Sequence, residues 1–175
     1  MRSSIAITLL VLSAAAVAAA QETTAQDNRY LLLATERTRT MQQEIDDAAS
    51  QGFRVVTANR ASGGEVIVLL ERTKDRVRYR LLATTRTGTL QREITEAADQ
   101  GYRVVPQAMT TKGDEVLVLM QKTPDGSAIA RYQVLATERT RTLQKEISQA
   151  SLDGYRLVAF TSGAENVAVF ERDIR

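Results

Sequence analysis

The chain of 175 residues has no cysteine, no histidine, no tryptophan and only two prolines. Without His or Cys there can be no Ser-His-Asp or Cys-His triad, no thiol redox chemistry and no His/Cys zinc or haem site. No disulfide can brace the fold, so stability has to come from a buried core. An excess of one charge is missing as well. The 23 Lys+Arg are balanced by 21 Asp+Glu, a net charge of +2, which gives no general electrostatic case for a nucleic-acid partner. At 43% hydrophobic and 25% charged the composition is that of a globular protein.

The longest apolar stretch lies at the start. Arg2 precedes Ile5 to Leu12 and Ala14 to Ala20, and Ala18-Ala19-Ala20 offers the small residues that a signal peptidase reads. Residues 1–20 are therefore expected to be a signal peptide removed before Gln21, and the polar residues 21–28 a flexible leader. An uncleaved anchor is the alternative, but the apolar run of about sixteen residues is short for a span of roughly twenty. A lipidated product would need a cysteine at the cleavage point. The expected product is an exported bacterial protein, periplasmic or secreted, with no stable membrane span after cleavage.

From residue 29 onward the chain is one pattern written three times. Arg29-Tyr30-Leu31-Leu32-Leu33-Ala34-Thr35 recurs as Arg78-Tyr79-Arg80-Leu81-Leu82-Ala83-Thr84 and as Arg131-Tyr132-Gln133-Val134-Leu135-Ala136-Thr137. Gly52-Phe53-Arg54-Val55-Val56 recurs as Gly101-Tyr102-Arg103-Val104-Val105 and Gly154-Tyr155-Arg156-Leu157-Val158. Tyrosine and glycine are 22 positions apart in every copy, whereas the distance from that glycine to Glu71, Gln121 and Glu171 is 19, 20 and 17. Length thus varies only between the last two apolar runs, as it does in a hairpin loop.

Each copy reads as strand, helix, strand, strand. The boundaries are residues 29–73, 78–123 and 131–173. Thr40, Thr89 and Thr142 sit where N-cap residues of the helices are expected. Met41, Ile45, Ala48, Ala49 and Gly52 fall on one helical face, and Leu90, Ile94, Ala97, Ala98 and Gly101 repeat it. Gly52, Gly101 and Gly154 are placed to end the helices in the left-handed conformation. The continuous apolar runs Val66 to Leu70 and Val116 to Met120 suit a central strand buried on both faces. The expected sheet order is first–third–second, all antiparallel, with Pro106 marking an edge strand. Units of about fifty residues are marginal alone, and either Ile67 and Leu69 or Val66, Val68 and Leu70 must be covered by something other than the unit's own helix. The expected fold class is α+β: three tandem βαββ units packed as a pseudo-threefold body around a shared core, with three loosely strung beads as the alternative.

The succession of an aromatic-led strand, a short Leu/Ile/Ala helix, Gly-aromatic, a Val-Val strand and a closing apolar hairpin resembles a short bacterial domain of unknown function, present here as a tandem triplicate over residues 29–172. That family commonly has Trp after the glycine, where this chain has Phe53, Tyr102 and Tyr155. The resemblance implies the βαββ fold and carries no catalytic or binding residues.

Three loops form the sharpest candidate site. Arg37, Thr38 and Thr40, Arg86, Thr87 and Thr89, and Arg139, Thr140 and Thr142 lie between the first strand and the helix N-terminus of each unit. Free backbone N–H groups, the helix dipole, hydroxyls and an arginine would converge there, which is the chemistry of an anion site, and three copies could hold a polyanion multivalently. The plainer reading makes the threonines caps and the arginines solvated. Tyr30, Tyr79 and Tyr132, with Phe53, Tyr102 and Tyr155, could offer stacking surfaces, or serve as core and rim residues. Glu44, Glu93 and Glu146 are placed in the first helical turn, and Glu65, Glu115 and Glu165 at the start of the third strand. Asp46-Asp47 and Pro124-Asp125-Gly126-Ser127 lack EF-hand spacing. No catalytic residue, metal ligand or cofactor is expected. The functional expectation is a non-catalytic exported scaffold or binding module whose partner is an envelope protein or anionic polymer. A small carboxylate-based hydrolase is the alternative from another class.

Overall fold

The computed structural model describes residues 29–124 and 130–174; the expected signal peptide, the leader and the Asp125-Gly126-Ser127 turn lie outside the described residues. Among the described residues the order βαββ occurs three times. The first unit comprises β1 (Tyr30–Thr35), α1 (Thr38–Ser50), β2 (Phe53–Arg60) and β3 (Val66–Arg72). The second comprises β4 (Arg78–Thr84), α2 (Thr87–Asp99), β5 (Arg103–Lys112) and β6 (Glu115–Lys122). The third comprises β7 (Ala130–Thr137), α3 (Thr140–Leu152), β8 (Arg156–Ser162) and β9 (Asn166–Asp173). The fold is mixed α+β.

Each unit places its third strand in the middle with antiparallel neighbours, as its apolar run requires. Between units a pairing appears for which the sequence holds no expectation. β2 and β5 meet in parallel through the pair Ala58 and Ala108, which joins the first two units into a six-stranded sheet β1-β3-β2-β5-β6-β4. The third unit forms its own sheet, β7-β9-β8, and β8 packs against β5. Pro106 therefore does not mark an edge strand. It lies where the β5 register against β6 jumps between Val104 and Met109, a wide bulge in which proline owes the ladder no N–H. Gln107 takes a positive φ of 63° there, and its carbonyl accepts the Thr57 hydroxyl at 2.9 Å. The bulge thrusts Val105 and Ala108 into the core of the first unit.

The helices begin three residues earlier than the threonine pattern suggests. Arg37, Arg86 and Arg139 are the N-cap residues, extended and without a side-chain cap, and their carbonyls accept the N–H of Met41, Leu90 and Leu143. Thr40, Thr89 and Thr142 are thus inside the first turn. Glu44, Glu93 and Glu146 move into the second turn for the same reason, and no acidic residue stands in any first turn. The cause is a local turn: the hydroxyls of Thr35, Thr84 and Thr137 accept the backbone N–H of the arginine two residues on, at 3.1 to 3.3 Å, which starts the helix early. The C-termini agree with expectation. Gly52, Gly101 and Gly154 have φ of 81 to 83°, and Tyr102 and Tyr155 return their N–H to the carbonyls of Ala97 and Ala150.

Strand alternation decides the packing. In β3, Val66, Val68 and Leu70 point to α1, where Met41 and Ile45 are fully buried; each such side chain contributes roughly 1.5–3 kcal/mol. Ile67 and Leu69 are the pair on the opposite face. In the second unit the matching pair, Leu117 and Leu119, is covered by the core of the first. In the third, Val167 and Val169 are covered by the core of the second. A third cluster, Leu135, Leu143, Ala150, Ala168 and Phe170, belongs to the third unit alone. Each unit thus lays its helix side on the back of the next.

Candidate functional site

The three Arg/Thr loops have different surroundings. Arg37, Arg86 and Arg139 are all exposed at helix N-termini. In the first loop the Thr38 hydroxyl donates to Glu115 of the second unit at 3.2 Å, while Thr40 is half-buried. In the second, Arg86 and Thr87 line a cleft of about 590 Å³ between the second and third units, together with Asp114, Glu138 and Glu165; Thr89 is half-buried. In the third, Arg139, Thr140 and Thr142 are exposed. The cleft pairs one guanidinium with three carboxylates, so its own field is negative. Among the described residues no group of three or more acidic side chains is placed to hold a metal ion.

The aromatic residues sort into core and rim, with one exception. Tyr79 and Tyr132 are buried and their hydroxyls accept the N–H of Val55 and Val104, at 2.8 and 3.0 Å, across the two unit junctions. Arg72, Arg80 and Arg172 lie over the rings of Phe53, Tyr102 and Tyr155, 4.5 to 5.0 Å from the centroids. Tyr30, in the same position of the first unit, is 50% exposed.

A glutamine on each of α1 and α2 does what composition gave no reason to expect. β4 and β7 are outer strands with open backbone edges. Gln42 on α1 donates to the Tyr79 carbonyl at 3.4 Å and accepts the Leu81 N–H at 2.6 Å. Gln91 on α2 does the same to β7, donating to the Tyr132 carbonyl at 3.0 Å and accepting the Val134 N–H at 2.7 Å. One side-chain amide mimics a strand and satisfies both groups of the edge. Gln144 on α3 holds the same position, but it is exposed and donates only to the Ser148 hydroxyl at 3.3 Å. The recurrence of Gln one residue after Met41, Leu90 and Leu143 is the signal that sequence offers.

The junction of the second and third units is built around Glu171, a carboxylate with 2% exposure. It accepts from Arg103 of the second unit and from Arg156 and Tyr132 of its own, and Arg103 also reaches Asp173. Burial first, and then the hydrogen bond to Glu171, push the Tyr132 phenol above its ordinary value. Arg103 is raised chiefly by its hydrogen bond to Glu171, against a smaller opposing effect of burial. Between the first and second units the equivalent position is Gln121, and Arg54 turns back to Glu71 of its own unit at 2.6 Å. There burial is the main cause that raises Tyr79.

Among the described residues no helix is long and apolar enough to cross a membrane. Comparison of the chain with protein-family models, with curated proteins and with solved structures gives no match in any of the three.

Proposed function

We propose that the protein is a non-catalytic, exported bacterial scaffold or binding module, a tandem triplicate of the short domain that its sequence resembles, acting through its end surfaces. The observation that carries this reading is the exposure of apolar side chains at both ends of the array. Leu32 at one end is 60% exposed, and Leu157 and Phe160 at the other are 51% and 49% exposed, where terminal repeats that act as mere caps would be polar. A pseudo-threefold relation belongs to the same reading, since each of α1 and α2 leans on the first strand of the following unit, a step that one rotation would repeat. The test is affinity capture of envelope components with the protein and with Leu32→Glu and Leu157→Glu variants. The reading expects a component that the variants lose; capture identical for all three counts against it.

A second reading, recognition of an anionic polymer, is supported by the exposed Arg37, Arg86 and Arg139 beside uncapped helix N-termini. Its expected outcome is a higher melting temperature with a heparin-like polyanion in low salt. An unchanged shift after Arg37→Ala, Arg86→Ala and Arg139→Ala are combined would sink it.

A further inference from the structure

The two internal junctions share one set of contacts, and each end of the array carries one unused half of that set. The half contributed by the leading unit consists of the helix glutamine, the residue three after the helix-ending glycine, and the arginine before that residue. In the first two units these are Gln42, Val55 and Arg54, then Gln91, Val104 and Arg103. In the third they are Gln144, Leu157 and Arg156. Val55 and Val104 are 5% and 3% exposed, whereas Leu157 is 51% exposed. Phe160, which pairs in register as Ala58 and Met109 do, stands beside it at 49% exposure.

The half contributed by the following unit is the outer edge and back of its first strand. Tyr79 and Tyr132 are 5% and 7% exposed; Tyr30 is 50% exposed. All three pair in the same register, opposite Gln121, Glu171 and Glu71 respectively. The Arg29 carbonyl points inward and accepts the N–H of Arg72, so the Tyr30 carbonyl and Leu32 N–H face the outer edge, as those of Tyr79 and Leu81 do. That edge is the aggregation-prone feature that strand proteins normally cover.

We propose that the third unit docks on β1 of a second copy of this chain, joining molecules head to tail through the contacts that already join the units within one molecule. This refines the end-surface reading and rests on it. In the docked pair Gln144 donates to the partner's Tyr30 carbonyl and accepts its Leu32 N–H. The Leu157 N–H donates to the Tyr30 hydroxyl. Arg156 reaches Glu71, which Arg54 already holds, so the new junction reproduces the Arg-Glu-Arg cluster around Glu171 and not the neutral Gln121 version. The two faces differ, so the contact is heterologous and can propagate into a ring or an open filament.

The experiment is sedimentation of the full chain over a range of concentrations, with Leu32→Glu and Leu157→Glu variants. Both positions are exposed, and unchanged circular dichroism checks that each variant folds. The wild type is expected to associate with concentration, and each variant alone to lose at least about tenfold in affinity, equivalent to ~1.4 kcal/mol. Mixed one to one, the variants are expected to form a dimer and stop there, because each supplies the face that the other has lost. A wild type that stays monomeric overturns the proposal. So does association untouched by either variant, which means another surface, the apolar N-terminal run included. Association lost in both variants and not restored by mixing overturns it too, since that is the mark of a symmetric contact. Should the chain stay monomeric while the same variants lose a different captured component, the end-surface reading stands and the second copy falls.

Discussion

At the junction of the first and second units a glutamine, Gln121, takes the place that Glu171 holds between the second and third. Two side-chain bonds to the backbone are the same in both: a helix glutamine caps the next strand's edge and a tyrosine hydroxyl accepts an N–H from the strand behind, although only the first adds a parallel strand pair. What changes is the electrostatics. The neutral junction leaves its arginine to pair within its own unit, while the charged one draws guanidiniums from both units onto a single buried carboxylate. Geometry and charge are therefore separable here. Hydrogen bonds to main-chain groups set the register, and side-chain charge adjusts how firmly two units are tied.

The sharpest way to break this comparison is to remove the carboxylate. Glu171→Ala is expected to cost ~3–5 kcal/mol in denaturant unfolding, because it leaves Arg103 without its main partner in a partly buried site. Gln121→Ala is expected to cost about 1 kcal/mol or less, and equal losses would mean that the two junctions are not different in kind. Next come the edge caps. Gln42→Ala and Gln91→Ala each orphan a strand N–H and carbonyl and should cost roughly 1–3 kcal/mol, whereas Gln144→Ala should leave the unfolding of a dilute sample within about 0.5 kcal/mol of the parent.

A pH series sharpens the contrast further. Tyr132 and Tyr79 titrate higher folded than unfolded, so the protonated phenol is the form the fold favours. Their contribution is complete below the unfolded value of about 10 and is lost as the pH rises from there toward the folded value. Tyr132→Phe is expected to flatten the alkaline limb of the stability curve more than Tyr79→Phe, since Glu171 adds to the first shift and not the second. The smallest effects are expected at the ends of the array. Leu32→Glu and Leu157→Glu should alter the melting temperature of dilute protein by no more than about a degree or two, as exposed sites do.

Much of this architecture is legible in the amino-acid order. Three helices with Met41, Ile45 and Ala48 or their counterparts inward, left-handed glycines at their ends, and a central third strand all come from periodicity and spacing. The helix starts do not. Thr35, Thr84 and Thr137 look like strand residues, and only their hydroxyl bonds to the next arginine but one reveal the turn. Pro106 invites a rule for ladders and escapes it through a bulge. The joining of units is harder still, because a glutamine that bonds a neighbouring strand's backbone leaves no pattern of its own. It shows only as an unexplained recurrence on a half-polar helix face. The exposed loop arginines draw attention because charge beside a helix start is conspicuous in sequence, while a buried Glu171 looks like any other strand-end acid.

Glu171 also bears on how the chain would come apart. A carboxylate shared by guanidiniums on two units cannot be released by one of them without stranding charge away from water, so the last two units should open as a single block. The first unit is joined by hydrogen bonds, that of Thr38 to Glu115 among them, and by one parallel pair, Ala58 with Ala108. In amide hydrogen exchange, protection should therefore be lost from β1 inward, a gradient of cohesion along a chain whose parts look alike.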